Sequence, residues 1–162
     1  MVIFYFDTSA IVKRYHKELG SNVVDKIFEF KEHSFAISFW TVLEFMVTFS
    51  AKRKRKALSE EAFRVALARF LKDVSDKFVI RSVSDELVAS AILIANKHAL
   101  PSADCLQLTS ALELKKILGE IKQKIVLVAS DEEMNKVARK EELEFINPEE
   151  DNALDKLSKI VS

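Results

Sequence analysis

Backbone breakers are scarce in this chain, with two glycines and two prolines among 162 residues. That scarcity excludes a Gly- or Pro-rich linker and favours long helices joined by short polar turns. A single cysteine, Cys105, excludes an internal disulfide. The first residues lack the basic region, apolar stretch and small-residue cleavage site of a secretory leader, so a reducing, cytoplasmic setting is expected. His16, His33 and His98 stand far apart with no cysteine or histidine at zinc-ligand spacing, which argues against a structural zinc. No apolar run approaches the roughly 18 residues of a membrane-spanning helix, so none is expected. Lys plus Arg (25) equal Asp plus Glu (25), and net charge therefore points to no class of partner. Any electrostatic case must rest on local clusters.

The chain is rich in apolar residues, 49% of the total, enough for one compact domain spanning residues 1–162, to which a last helix at about 152–161 is an appendage. Val2-Ile3-Phe4-Tyr5-Phe6 reads as a buried strand that ends on Asp7. Further strands are expected at Ser34–Ser38, Phe78–Ile80, Ile125–Ala129 and Leu143–Ile146. Helical patterns fill the intervals: Ala10–Tyr15, a helix capped by Ser21, Thr41 to about Lys54, Ser59–Lys72, Ser84–His98, one starting near Pro101, a short one after Asp131 and Leu154–Val161. Continuous apolar strands alternating with helices predict a three-layer α/β/α domain with a central, mainly parallel sheet. No internal repeat is visible. Residues 141–151 hold six acids and no base, most simply a solvated turn.

In open α/β sheets ligands bind beyond the carboxyl ends of the strands. Asp7, Glu44, Asp104 and Asp131 all fall at such positions, each just after a strand or in the first turns of a helix. Each also has a plain structural explanation. Asp7 can cap a helix, Thr41 and Glu44 fit a capping box, Asp104 follows a Ser102 cap, and Ser130 with Glu133 fits a second box beside Asp131. Taken together the four suggest a site. Clustered carboxylates repel one another unless a cation binds between them, and an oxygen-only donor set suits Mg²⁺ or Mn²⁺ and phosphodiester chemistry by metal-activated water.

Phe6-Asp7-Thr8-Ser9-Ala10-Ile11-Val12-Lys13-Arg14-Tyr15 resembles the opening signature of PIN-domain ribonucleases, particularly VapC-type toxins. The likeness continues in Ile37-Ser38 with Thr41 and Glu44, in Asp104–Ala111, in Ala129-Ser130-Asp131 and in Asn147-Pro148. The resemblance implies a PIN-like fold and a Mg²⁺- or Mn²⁺-dependent endoribonuclease, the toxin of a type II toxin–antitoxin pair. It makes Asp7, Glu44, Asp104 and Asp131 the catalytic metal ligands and gives Thr8 and Ser130 supporting hydroxyls. It also implies an RNA substrate, a small antitoxin partner and a homodimer. The alternatives are an RNA-processing or DNA-active nuclease of the same family without an antitoxin, or a PIN domain that binds RNA or protein without cutting. Between Asp104 and Asp131 the chain is longer than the family's usual spacing, and Cys105 stands where alanine is common; it reads as a packing residue, since no histidine is placed to activate it.

RNA is a polyanion, and a neutral protein needs a local positive surface to hold it. The basic run Lys52-Arg53-Lys54-Arg55-Lys56 is one candidate and a solvated helix end its rival; Lys13 and Arg14 are smaller candidates for phosphate contact. Of twelve phenylalanines most are expected in the core, with a surplus left for an exposed apolar partner surface.

Overall fold

The computed structural model describes residues 1–162 and contains a five-stranded, wholly parallel sheet. The strands are β1 (Val2–Phe6), β2 (Ser34–Ser38), β3 (Phe78–Arg81), β4 (Lys124–Val128) and β5 (Phe145–Ile146), in the spatial order β3-β2-β1-β4-β5. The helices are α1 (Thr8–Ile11), α2 (Ser21–Ile27), α3 (Phe39–Lys54), α4 (Glu60–Asp76), α5 (Asp85–His98), α6 (Ser102–Gly119), α7 (Glu132–Lys140) and α8 (Ala153–Val161). A 3₁₀ turn, Val12–Arg14, extends α1. The expected three-layer α/β/α domain is therefore present.

Alternation along the strands sends side chains to opposite faces and so divides the core in two. Phe4, Phe6, Phe35, Ile37, Phe78, Val126 and Val128 face one way, and the larger core forms there against α2, α3, α4 and α8. Ile3, Tyr5, Ala36, Ile125 and Leu127 face the other way, toward α6 and α7. β1 is buried along its whole length because it is central and covered on both sides. Nine of the twelve phenylalanines are buried, among them Phe45, Phe49 and Phe70, whose rings stack at centroid distances of 4.1 and 3.7 Å. Each such ring contributes about 1.5–3 kcal/mol through burial alone. The last helix is more than an appendage, since Ala153, Leu157 and Ile160 join the larger core.

Helix starts differ from the expected caps in three places. Ser38, the last residue of β2, caps α3 by accepting from Trp40 N, so the helix begins earlier and Thr41 lies buried inside its first turn. Pro101 takes the cap position of α6 with no side-chain bond, and Ser102 is its first helical residue. Asp131 itself caps α7, its Oδ1 accepting from Met134 N at 2.7 Å.

Gly20 precedes α2 with φ +85°, and a Cβ there would lie 2.7 Å from the Pro148 carbonyl oxygen. Both the left-handed backbone and the close approach demand glycine. Gly20→Ala is expected to cost about 2 kcal/mol or more, measurable as a lower urea midpoint with an unchanged slope.

Candidate functional site

The strand order reverses beside β1. The chain passes from β1 outward to β2 and β3, then returns to place β4 on the other side of β1. Such a switch point opens a crevice at the carboxyl end of the sheet. Asp7 stands at that end of β1, its N–H donating to the Val128 carbonyl at 3.0 Å, and Asp131 follows β4 by three residues. α3 and α6 start at the same edge and bring in Glu44 and Asp104.

Asp7 is buried and caps α1 through Oδ2, which accepts from the Ser9 backbone N at 2.9 Å and from the Ser9 hydroxyl. The Ser9 Oγ in turn accepts from the Ser130 N–H at 2.9 Å and so ties the end of β1 to the end of β4. Glu44 accepts the Thr8 hydroxyl at 2.6 Å and the Gln107 amide at 2.9 Å. Gln107 is fully buried; its Nε2 also reaches Thr41 Oγ1 at 2.9 Å and Thr8 Oγ1 at 3.2 Å, and its Oε1 accepts from Tyr5 at 3.3 Å. Two amide hydrogens serve three acceptors, so one bond is shared. This amide fastens α6 to β1 and α3 and fixes the orientation of the Glu44 carboxylate.

Burial raises the pKa of Asp7, outweighing the Ser9 bonds, and the negative charge of Glu44 adds to the rise. The Asp104 carboxyl is pushed up to about 6 by partial burial and by the charges of Asp131, Asp7 and Glu44. The four acids thus share one electrostatic environment. None of them forms a salt bridge, although acids elsewhere on the surface commonly do. As the side chains stand, no three of them converge closely enough to hold a metal ion. The long-range repulsion and the absence of a formed coordination sphere describe one arrangement: acids near enough to feel each other's charge, with separations wider than direct coordination. Oxygen-only donors without a protein cation fit a hard divalent ion in chemistry.

The supporting hydroxyls divide. Thr8 bonds Glu44 directly, whereas the Ser130 hydroxyl has no partner and only its backbone N–H takes part. The basic candidates divide as well. Lys13 is buried and paired with Glu18 and Glu149, and Arg14 lies over the Phe28 ring and pairs with Asp73 at 3.3 Å; neither is placed to meet phosphate. Lys52 pairs with Glu18 at 3.1 Å and Arg53 with Glu60 at 3.4 Å, which leaves Lys54, Arg55 and Lys56 exposed and unpaired.

Ser9 and Gln107 are the residues that sequence reasoning left without a role. The signal for Ser9 was a hydroxyl two residues after an acid, the spacing of an Asx turn. Gln107 stood three residues after Asp104, within the apolar face of α6. Gln107→Leu is expected to destabilise the fold by about 2–3 kcal/mol, because Tyr5, Thr41 and Glu44 lose a buried partner; thermal unfolding checks it.

Comparison with protein-family models and with curated proteins gives no match. Solved structures do match. VapBC2 from Rickettsia felis, bound to a DNA fragment from its promoter, is 18% identical, with a TM-score of 0.62 over 90% of this chain and 98% of that one. FitAcB from Neisseria gonorrhoeae is 16% identical, with a TM-score of 0.62 over 91% and 98%. A toxin–antitoxin complex from Klebsiella pneumoniae is 16% identical, with a TM-score of 0.55 over 89% and 96%. The fold is PIN-like. The resemblance seen in the opening motif is thus matched by the path of nearly the whole chain, and the four acids occupy the carboxyl edge of a PIN-like sheet. No helix is long and apolar enough to cross a membrane.

Proposed function

We propose that this protein is a Mg²⁺- or Mn²⁺-dependent endoribonuclease and the toxin of a type II toxin–antitoxin pair. The observation that carries the reading is the set of four unpaired acids at the switch point, with Asp104 pushed up to about 6 by burial and by the other three. The likeness in fold to chains from toxin–antitoxin complexes supports the biological setting. Asp7, Glu44, Asp104 and Asp131 would hold the metal, which when bound supplies an activated water and charge neutralisation at the leaving oxygen. The chain's own part is positional. Ser9 pins Asp7, Thr8 and Gln107 pin Glu44, and the cap bond to Met134 pins Asp131.

The rival is a PIN domain that binds RNA or protein without cutting, favoured by the absence of three converging ligands. Incubating the protein with total cellular RNA, and separately with DNA, in Mn²⁺ and in EDTA decides between them. New RNA ends in Mn²⁺ that vanish in EDTA are expected. Intact RNA in both would support the rival, and cleavage of DNA alone would support a DNA-active nuclease.

For the partners, the apolar stripe of α3 is informative. Phe39, Leu43 and Val47 recur every four residues and are 62%, 53% and 61% exposed, an unusual run of apolar side chains on one solvent-facing helix stripe. The reading includes a homodimer through this face and a small antitoxin on other apolar surface. Leu43→Glu with Val47→Glu is expected to convert a dimer to a monomer in analytical ultracentrifugation; a wild-type protein that sediments as a monomer contradicts it.

A further inference from the structure

The nuclease reading leaves open how a polyanion approaches four acids, and the basic run at the end of α3 answers poorly. Two of its five residues are tied to acids, and Lys54 lies ten residues beyond Glu44, about 15 Å along the helix. α7 offers a nearer surface. A cavity of about 390 Å³ opens between Leu100-Pro101, just before α6, and the α7 residues Glu133, Lys136, Arg139 and Lys140. One wall is the connection from α5 to α6, which ends at Pro101 three residues before Asp104, and the other is the face of α7, the helix that Asp131 caps.

Two of the three cations there are free of acids. Lys136, Arg139 and Lys140 are exposed. Glu133 pairs with Lys136 at 2.6 Å, and neither Arg139 nor Lys140 has an acid within salt-bridge distance. Glu141, the next residue along, is taken by Lys97 at 2.7 Å and by His98. Arg139 rests against the Phe145 ring at 5.4 Å, which orders its stem. From Asp131 the three bases lie about 7.5 to 13.5 Å along the α7 axis. They form a track leading away from the acids on one helix.

We propose that this face of α7, through Lys136, Arg139 and Lys140, holds the phosphodiester backbone of RNA as it enters the acid cluster. The proposal rests on the nuclease reading and adds the surface that binds the substrate. Phosphates seated on these cations keep the strand near acids that would otherwise repel it, and backbone contact of this kind carries little sequence information.

The test uses the full chain and a fluorescently labelled oligoribonucleotide. Binding is measured by anisotropy in Mn²⁺ as a function of KCl, in an Asp7→Asn background that prevents cutting, and cleavage kinetics are measured without that change. The triple variant Lys136→Ala, Arg139→Ala, Lys140→Ala is expected to bind at least about tenfold more weakly and to reduce the salt slope by about 2, since each contact with a single strand contributes about 0.7. Its KM rises while kcat stays within about twofold. Arg139→Lys keeps the slope and Arg139→Gln lowers it, a distinction that a purely structural role for the ring contact would not produce. Because the three residues are exposed, far-UV circular dichroism and melting of the triple variant should match wild type. Unchanged slope and KM in the α7 variant, with both altered by Lys54→Ala, Arg55→Ala, Lys56→Ala, overturn the proposal while wild-type cleavage leaves the nuclease reading standing. Absence of cleavage by wild type overturns both.

Discussion

Asp7→Asn is expected to lower Mn²⁺-dependent RNA cleavage by about 10³-fold, the loss of about 4 kcal/mol of transition-state stabilisation that a displaced metal ion would bring. The fold should survive. The Asn side-chain oxygen can accept the same Ser9 N–H that Asp7 now accepts, and asparagine is as good an N-cap as aspartate. Burial already opposes the charge on Asp7, so a neutral amide removes a cost rather than adding one. Cleavage at the wild-type rate by a well-folded Asp7→Asn protein would separate the acid cluster from the chemistry. A purified preparation compared by single-turnover kinetics and by melting in EDTA provides both readings.

Asp104→Asn should act in opposite directions on stability and on activity. In the folded chain this carboxyl titrates at about 6, against an ordinary value of 3.8, because of partial burial and the neighbouring charges of Asp131, Asp7 and Glu44. An acid whose folded value is raised binds its proton more tightly in the native state. Its contribution to stability is therefore greatest below pH 3.8 and is lost as pH rises through about 6. With a discount for its partial exposure to solvent, the ionised carboxylate costs about 1–2 kcal/mol at pH 8. Metal-free Asp104→Asn should thus melt about 2–6 °C higher than wild type at pH 8, with the difference shrinking toward pH 4. The same variant should lose the stabilisation that saturating Mn²⁺ gives to wild type, and the affinity of the metal-free wild type for Mn²⁺ should fall as pH drops below about 6, where the carboxyl takes up its proton and the metal must displace it. Melting curves at several pH values, with Mn²⁺ and with EDTA, separate the effects. A lower melting point for the metal-free variant at pH 8 would remove the repulsion from the account.

The large features of the fold were legible because they rest on strong local signals. The run Val2–Phe6 is apolar at every position, which only a strand covered on both faces can bury, and Lys124–Val128 beside it is almost as continuous. The placement of the four acids was legible for a related reason: Asp7 and Asp131 stand where a strand gives way to a helix, Asp104 and Glu44 in the first and second turns of helices, all at the edge where a parallel sheet binds ligands. Cap chemistry was less so. Ser38 rather than Thr41 caps α3, because the strand ends directly in the helix and the last strand residue supplies the oxygen. Thr41 is thereby freed for the contact with Gln107.

Long-range pairing was not legible at all. Gln107 meets Thr8 and Glu44 across 99 and 63 residues of sequence, and no local pattern predicts such partners. The same holds for Lys13 and Arg14. Beside Asp7 in sequence they suggested phosphate contact, but the 3₁₀ turn directs them inward, to Glu149 and to Asp73. A basic residue near a site in sequence is thus a poor guide when acids elsewhere in the chain can reach it. The α7 cations are inconspicuous in sequence for the converse reason: Val137 and Ala138 separate Lys136 from the pair Arg139-Lys140, and the three share a face only when the helix forms.

The central claim is that the four acids at the switch point form a divalent-metal site. Titration of the metal-free protein with Mn²⁺ by isothermal calorimetry at pH 7.5, for wild type and for the double variant Asp7→Asn, Asp104→Asn, tests it most directly. Saturable binding by wild type that the double variant loses is the predicted result. No binding by wild type, or the same affinity in the double variant, would contradict it.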